Sequence, residues 1–231
     1  MSETITIDGP EVRFDAYLAR PANPAAPAVV VMQEIFGVNA DMRATCDELA
    51  MQGFLALCPD MFWRLEPGVQ LSDATEQEWQ KALALYTAFD IDKGVNDAAA
   101  ALAHARQFEG IGRKAGIVGF CLGGLLSYRA GACMAVDAAV SFYGGGIQHH
   151  LEEARTASTP LLIHLAGDDE FIPPDAQASI QQMLGTRPEV DIHVYPGCQH
   201  AFARHGGQHR DDAASALAWQ RTLAFLHRHL G

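Results

Sequence analysis

Basic residues are scarce in this chain. Sixteen Lys and Arg stand against 28 Asp and Glu, a formal net charge of −12, and no Lys/Arg cluster offsets it locally. A field of that sign repels DNA, RNA and anionic lipid, so no nucleic-acid partner is expected. Long hydrophobic runs are absent as well. None approaches the ~20 residues needed to span a bilayer, so no membrane partner is expected. The opening residues, MSETITIDGPEVRF, lack the basic start and apolar core of a signal peptide. Cysteine is sparse and odd in number, with Cys46, Cys58, Cys121, Cys133 and Cys198 forming no CxxC pair. That pattern suits free thiols in a reducing cytoplasm better than a disulfide framework, and a cytoplasmic protein is expected. No Ser/Gly/Pro linker, composition shift or repeat divides the 231 residues. One domain spanning 1–231 is expected, acting as a monomer. A domain of this size buries enough surface to need neither disulfides nor a structural metal.

What is present is alternation. Residues 3–8 and 11–19 read as a hairpin around Gly9-Pro10. Strands are expected over Ala28–Met32, Phe54–Cys58, Gly116–Gly119, Ala138–Tyr143, Leu161–Ala166 and Val190–Tyr195. Helices are expected from the Asn39 cap to Gln52, over 76–88, over Val95–Phe108, after Cys121, over Pro174–Leu184 and over Asp211–Leu230. Residues 60–75 read as loop. Short apolar strands alternating with helices imply a mostly parallel central sheet with helices on both faces. Ligands of such sheets bind beyond the carboxyl ends of the strands, so chemistry is sought there.

Gly119-Phe120-Cys121-Leu122-Gly123 follows a strand and opens a helix. This is a nucleophile elbow with Cys in place of Ser. The nucleophile of an elbow sits on a sharp strand-to-helix turn that only neighbours without side chains can flank. The turn puts the sulfur at a helix N-terminus, where the dipole and free N–H groups favour a thiolate. The Leu122 N–H can then serve as an oxyanion donor. The plainer alternative is a buried, inert thiol, since Cys is among the most buried residue types. Cys46, Cys58, Cys133 and Cys198 lack such a setting and read as structural.

Asp168-Asp169-Glu170 lies just past the strand Leu161–Ala166, the place where an α/β-hydrolase keeps the acid that orients its histidine. Either aspartate could serve, and either could be a mere loop residue. His200 follows the last strand, where the general base is expected. The chain order of nucleophile, acid and histidine is stronger than any of the three alone. His205 and His209 lie near His200 but without metal-ligand spacing, so no metal is expected. Only residues 144–160 separate two of the strands, too few for an inserted helical cap domain.

Gln33-Glu34-Ile35-Phe36-Gly37-Val38-Asn39, Cys58-Pro59-Asp60, Gly119 to Gly124, Gly167-Asp168-Asp169-Glu170-Phe171-Ile172-Pro173 and His200-Ala201-Phe202-Ala203-Arg204 together resemble the dienelactone hydrolase (carboxymethylenebutenolidase) family. The blocks keep their order over nearly the whole chain. The resemblance implies an α/β-hydrolase fold, no cofactor and a Cys121–His200–Asp169 triad. It prefers Asp169 to Asp168 by the spacing to Phe171 and Pro173. It gives Glu34 the task of holding the thiol at rest and activating it when substrate arrives. The N–H groups of Ile35 and Leu122 become the oxyanion donors, and Arg204 binds a substrate carboxylate. Plainer readings of Glu34 and Arg204 are a strand-end charge facing water and a surface ion pair. Phe36, Trp79, Leu83 and Tyr86 are expected to line the substrate pocket. Trp79 stands where the family has a second arginine, Leu83 and Tyr86 replace other aromatic residues, and Ala201 replaces a serine. The expected partner is a small ester or lactone. The rival readings are a peptidase and a non-catalytic thiol or redox-sensing relative.

Overall fold

The computed structural model describes residues 2–9, 11, 13–108 and 114–231. Two compact units divide the chain, residues 1–116 and 117–231. Pro10, expected in the hairpin turn, and Val12, expected in its second strand, lie outside the described residues.

In the first unit the strand order is β1-β2-β4-β3. Strands β1 (Ser2–Asp8) and β2 (Arg13–Ala19) form the expected hairpin, with Ser2 opposite Ala19 and Asp8 opposite Arg13. Strand β2 runs antiparallel to β4 (Leu55–Pro59), and β4 runs parallel to β3 (Ala28–Met32). Every residue of β3 and β4 is buried, the pattern of central strands covered on both faces. Three helices follow from clear caps. The side chains of Asn39, Thr75 and Asp90 accept from N–H groups at the starts of α1 (Ala40–Met51), α2 (Glu76–Ala88) and α3 (Ile91–Ala105). Helix α3 therefore begins earlier than the expected Val95, because the Asp90 cap already satisfies its first turn. It also ends before the expected Phe108. Residues 60–75 are loop, as expected, but a pinned loop. Asp60 accepts from the N–H of Phe62 at 3.0 Å and of Gly68 at 2.7 Å. The fully buried Asp97 of α3 holds the Arg64 guanidinium and accepts from Trp63 Nε1 at 3.1 Å, so its charge is compensated inside the unit.

The second unit carries the order β5-β6-β7-β8. The strands are β5 (Ala115–Phe120), β6 (Ala138–Phe142), β7 (Leu161–Ala166) and β8 (Val190–Tyr195). Strands β6, β7 and β8 are parallel to one another. Helix α4 (Leu122–Cys133) packs on β6, and α6 (Asp212–Leu230) packs on β6 and β7. Helix α5 (Pro174–Leu184) starts with Pro in its first turn, where the missing N–H costs nothing. Between β6 and β7 there are only two short 3-10 helices, Ile147–His149 and Leu151–Thr156, and no inserted cap. No helix of the described residues is long and apolar enough to cross a membrane.

Strand β7 is entirely buried yet contains His164. Its Nδ1 is 2.9 Å from the Tyr195 hydroxyl and its Nε2 is 3.0 Å from Thr222 Oγ1. Arg221 donates to the same Tyr195 oxygen at 3.1 Å. The tyrosine proton is thus left for His164 Nδ1, and Nε2 carries the ring proton toward Thr222. Burial, then the charges of His193 and Arg221, hold His164 well below the usual histidine range, so it is a neutral part of the core.

Candidate active site

Strand β5 hands over to α4 through one residue, Cys121, whose backbone has φ +53° and ψ −115°. That is outside the regions open to an L residue without strain, and such strain survives only where the surroundings impose it. Here they do. The Cys121 N–H is held by the Phe142 carbonyl at 3.1 Å, and the Cys121 carbonyl accepts from Leu125 N–H at 3.2 Å. A Cβ on Gly119 would stand 1.9 Å from the Gly123 carbonyl oxygen, and one on Gly124 would stand 2.5 Å from that of Phe142. The spacing of glycines read in the sequence is therefore a packing necessity. The Leu122 N–H begins α4, where helix N–H groups have no partner within the helix.

Two loops of the same unit bring an acid to a base. Asp169 is buried, and His200 Nδ1 lies 3.0 Å from its Oδ1 and 2.9 Å from its Oδ2. Oδ1 also accepts from Phe171 N–H at 2.9 Å. Asp168 is exposed, and its N–H donates to the Cys198 carbonyl at 2.9 Å. Of the two adjacent aspartates, Asp169 is the one that meets the histidine. The His200 ring is clamped edge-to-face between Tyr143, with centroids 5.0 Å apart, and Phe171, 4.8 Å apart. Tyr143 and Ala201, the residue after His200, also have positive φ, +38° and +64°.

The His200 Nε2 is buried and makes no hydrogen bond of ordinary geometry among the described residues. Cys121 is nonetheless close enough to act on it. Burial pulls His200 down, but the charge of Cys121, the bond to Asp169 and the pull of the Cys121 sulfur outweigh that and push it up to about 10. Burial pushes Cys46, Cys133 and Cys198 up, Glu153 adds to this at Cys133, and Asp211 and Asp168 add to it at Cys198.

Arg204 is 8% exposed, so it does not stand out at the surface. Its carbonyl accepts from Arg210, and Gly207 lies against its side chain. His209 Nδ1 is 3.2 Å from the His200 carbonyl. Among the described residues no group of three or more His, Cys, Asp or Glu could hold a metal ion.

In the first unit, Glu34 follows β3 and is 1% exposed, so a charge facing water is set aside for it. Gln33 bridges its neighbours, donating to the Glu34 carbonyl at 3.4 Å and accepting from Met61 N–H at 3.1 Å. Ile35 and Phe36 are buried. The Phe36 carbonyl accepts from Leu71 N–H at 2.8 Å, and its ring lies 5.8 Å from that of Trp79. Trp79 and Leu83 are half-buried and Tyr86 is exposed along α2.

The sequence profile of the dienelactone hydrolase family matches residues 14–230. The chain belongs to this family. Its dienelactone hydrolase relatives include a candidate carboxymethylenebutenolidase of Azospirillum brasilense, 43% identical over 232 residues and covering 96% of each chain. The carboxymethylenebutenolidase of Pseudomonas putida is 39% identical over 213 residues, 92% of this chain and 90% of that one. A solved structure of a candidate dienelactone hydrolase from Klebsiella pneumoniae is similar with a TM-score of 0.86 at 26% identity, covering 99% of this chain and 98% of that one. The α/β-hydrolase architecture expected from the sequence is the architecture of the family.

Tyr143, Phe171 and Gln177 are the site neighbours that sequence reasoning assigned no role. Phe171 stood inside a quoted motif, two residues after Asp169. Tyr143 and Gln177 carried no signal beyond their places at a strand end and in a helix.

Proposed function

We propose that the protein hydrolyses a small ester or lactone by nucleophilic acyl transfer from Cys121. The observation that carries this reading is the backbone of Cys121. It is held at positive φ at the start of α4, in the unit where His200 is paired with Asp169 and raised by the cysteine's charge. Nothing in packing alone calls for a strained, half-exposed thiol opposite a histidine held by a buried carboxylate.

In this scheme the Cys121 thiolate adds to the substrate carbonyl, and the negative charge passes to its oxygen, which the Leu122 N–H stabilises. Collapse of the adduct expels the alkoxide, which takes its proton from the His200 imidazolium and leaves an acyl-thioester on Cys121. Neutral His200 then takes a proton from water as the water attacks the thioester. Collapse of the second adduct releases the acid and restores the thiolate facing an imidazolium. Asp169 keeps the Nδ1 proton in place throughout. The Pseudomonas putida relative carries the name of a lactone hydrolase, which supports a small lactone or ester as substrate. The resemblance extends the proposal to Ile35 as a second oxyanion donor, Glu34 as the group that activates the thiol, and Arg204 as the binder of a substrate carboxylate. It also makes Phe36, Trp79, Leu83 and Tyr86 pocket residues.

Turnover of an aryl ester and of a lactone tests the reading. The wild type and Cys198→Ala should both hydrolyse them, and Cys121→Ala should not. A peptidase would prefer amides, and a thiol sensor would show Cys121 oxidation without turnover. Near-full activity in Cys121→Ala would refute the proposal.

A further inference from the structure

The loop that carries Asp169 runs from the end of β7 to the start of α5 and has carbonyl groups on both limbs. Ala166 and Gly167 lie on the incoming limb, and Ile172 lies on the outgoing one. A single side chain reaches all three. Gln177, in the second turn of α5 and 6% exposed, places its Nε2 at 3.0 Å from the Ala166 oxygen, 2.9 Å from that of Ile172 and 3.4 Å from that of Gly167. An amide nitrogen has only two protons, so the two short bonds are full ones and the third is shared. The N–H groups of the same loop are tied elsewhere: Gly167 to the Tyr195 carbonyl at 2.8 Å and Asp168 to that of Cys198 at 2.9 Å. Those two acceptors belong to the segment leading to His200. The acid loop is thus bound to the base loop through its N–H groups, and its two limbs are strutted together through its carbonyls by Gln177.

We propose that Gln177 is a positioning residue for hydrolysis, setting the loop so that Asp169 meets His200 Nδ1 with both oxygens. This rests on the reading of Cys121, His200 and Asp169 given above. Gln177 touches no reacting atom and acts only through the carboxylate. Of the neutral side chains of this length, only glutamine offers two donors on one atom. Methionine keeps the volume and loses both donors. Glutamate keeps the shape but, when ionised, turns two acceptors toward carbonyl oxygens. Protonated, it recovers one donor.

The test uses the full chain with Gln177→Met and Gln177→Glu, alongside Cys121→Ala. A loop displaced by about an ångström costs roughly 100-fold in turnover. Gln177→Met should lose about that factor in kcat, with KM changed less than threefold, and it should shift the downfield proton NMR signal of His200 Nδ1–H. That signal needs no turnover, so it separates failure of this proposal from failure of the nucleophile assignment, which the Cys121→Ala variant decides. Gln177→Glu should recover activity relative to wild type as the pH falls and its carboxyl gains a proton. A folded Gln177→Met with kcat within threefold of wild type and an unmoved Nδ1–H signal would overturn the proposal. If that variant does not fold, a Gln177→Glu/wild-type activity ratio that is flat with pH would overturn it.

Discussion

Replacing Asp169 with Asn exchanges one oxygen for an NH2 group and leaves the volume alone, which makes it a clean perturbation of the acid–base pair. The consequence follows from which oxygen has the other job. Oδ1 accepts from Phe171 N–H at 2.9 Å as well as from His200. An asparagine keeps its carbonyl there, because an NH2 facing that N–H would leave two donors in contact. Its NH2 then occupies the Oδ2 position, 2.9 Å from His200 Nδ1. Two donors repel at that distance and the Nδ1–H keeps only Oδ1, which it shares with the Phe171 N–H, so the balance moves toward the tautomer that carries the ring proton on Nε2. In that tautomer Nε2 cannot accept a proton from water. The change also removes the hydrogen bond and charge of Asp169 that help to raise His200. The corresponding change in a serine protease triad costs about 10⁴-fold in kcat, and a loss of 10³- to 10⁴-fold is expected here. Stopped or steady-state hydrolysis of an aryl ester measures it, with Asp168→Asn as the control. Asp168 is exposed and its N–H donates to the Cys198 carbonyl, so its variant should stay within threefold of wild type. A greater loss in Asp168→Asn than in Asp169→Asn would refute the reasoning, as would an Asp169→Asn enzyme within tenfold of wild type.

Arg204→Met should lower kcat/KM for esters bearing a carboxylate by roughly 10- to 100-fold, the worth of one charge-assisted contact, and leave neutral esters nearly untouched. Equal losses on both would make Arg204 structural. Gly119→Ala forces a Cβ to within 1.9 Å of the Gly123 oxygen. A cost of ~3 kcal/mol or more should lower Tm by roughly 6–12 °C, and a melt within 2 °C of wild type would refute the clash. His164 is held neutral in the fold and lies well below its unfolded value of 6.5. The His164 contribution to stability should therefore be level above pH 6.5 and fall as the pH drops below it, by up to about 1.4 kcal/mol per unit, because only the unfolded chain takes up that proton. Urea melts between pH 7 and 4.5 should show that slope, and it should be shallower in His164→Gln.

Much of the architecture was legible because central strands and capped helices write themselves locally. The strands β3, β4, β5, β6 and β7 are short apolar runs because both faces are covered. Helix α2 has the expected bounds, 76–88, and the structure shows its start capped by the Thr75 hydroxyl, which accepts from the Glu78 N–H. The start of α3 was missed because Asp92, Lys93 and Gly94 interrupt the apolar stripe on which periodicity depends, although the Asp90 cap was in plain view. The 3-10 helices between β6 and β7 have too few residues to show a period at all.

The site divides along the same line between local and distant causes. The elbow was legible because the chain must carry glycine wherever a Cβ would stand 1.9 Å or 2.5 Å from a backbone oxygen. The choice between Asp168 and Asp169 was not legible from the residues themselves. Two adjacent carboxylates in one loop differ only in the side of the backbone they leave from, and resemblance alone separated them. Gln177 was wholly hidden. In the sequence it is a polar residue near the start of a helix, the commonest of surface positions. Its burial is imposed by carbonyls up to eleven residues away, at Ala166, Gly167 and Ile172, groups every residue possesses and no composition reveals. Backbone acceptors are invisible to motif reading, because the side chain that answers them is chosen by where the chain turns. A supporting residue of this kind can be found only after the turn is seen. For that reason the candidate groups of this site could be picked out from the sequence while Gln177 could not.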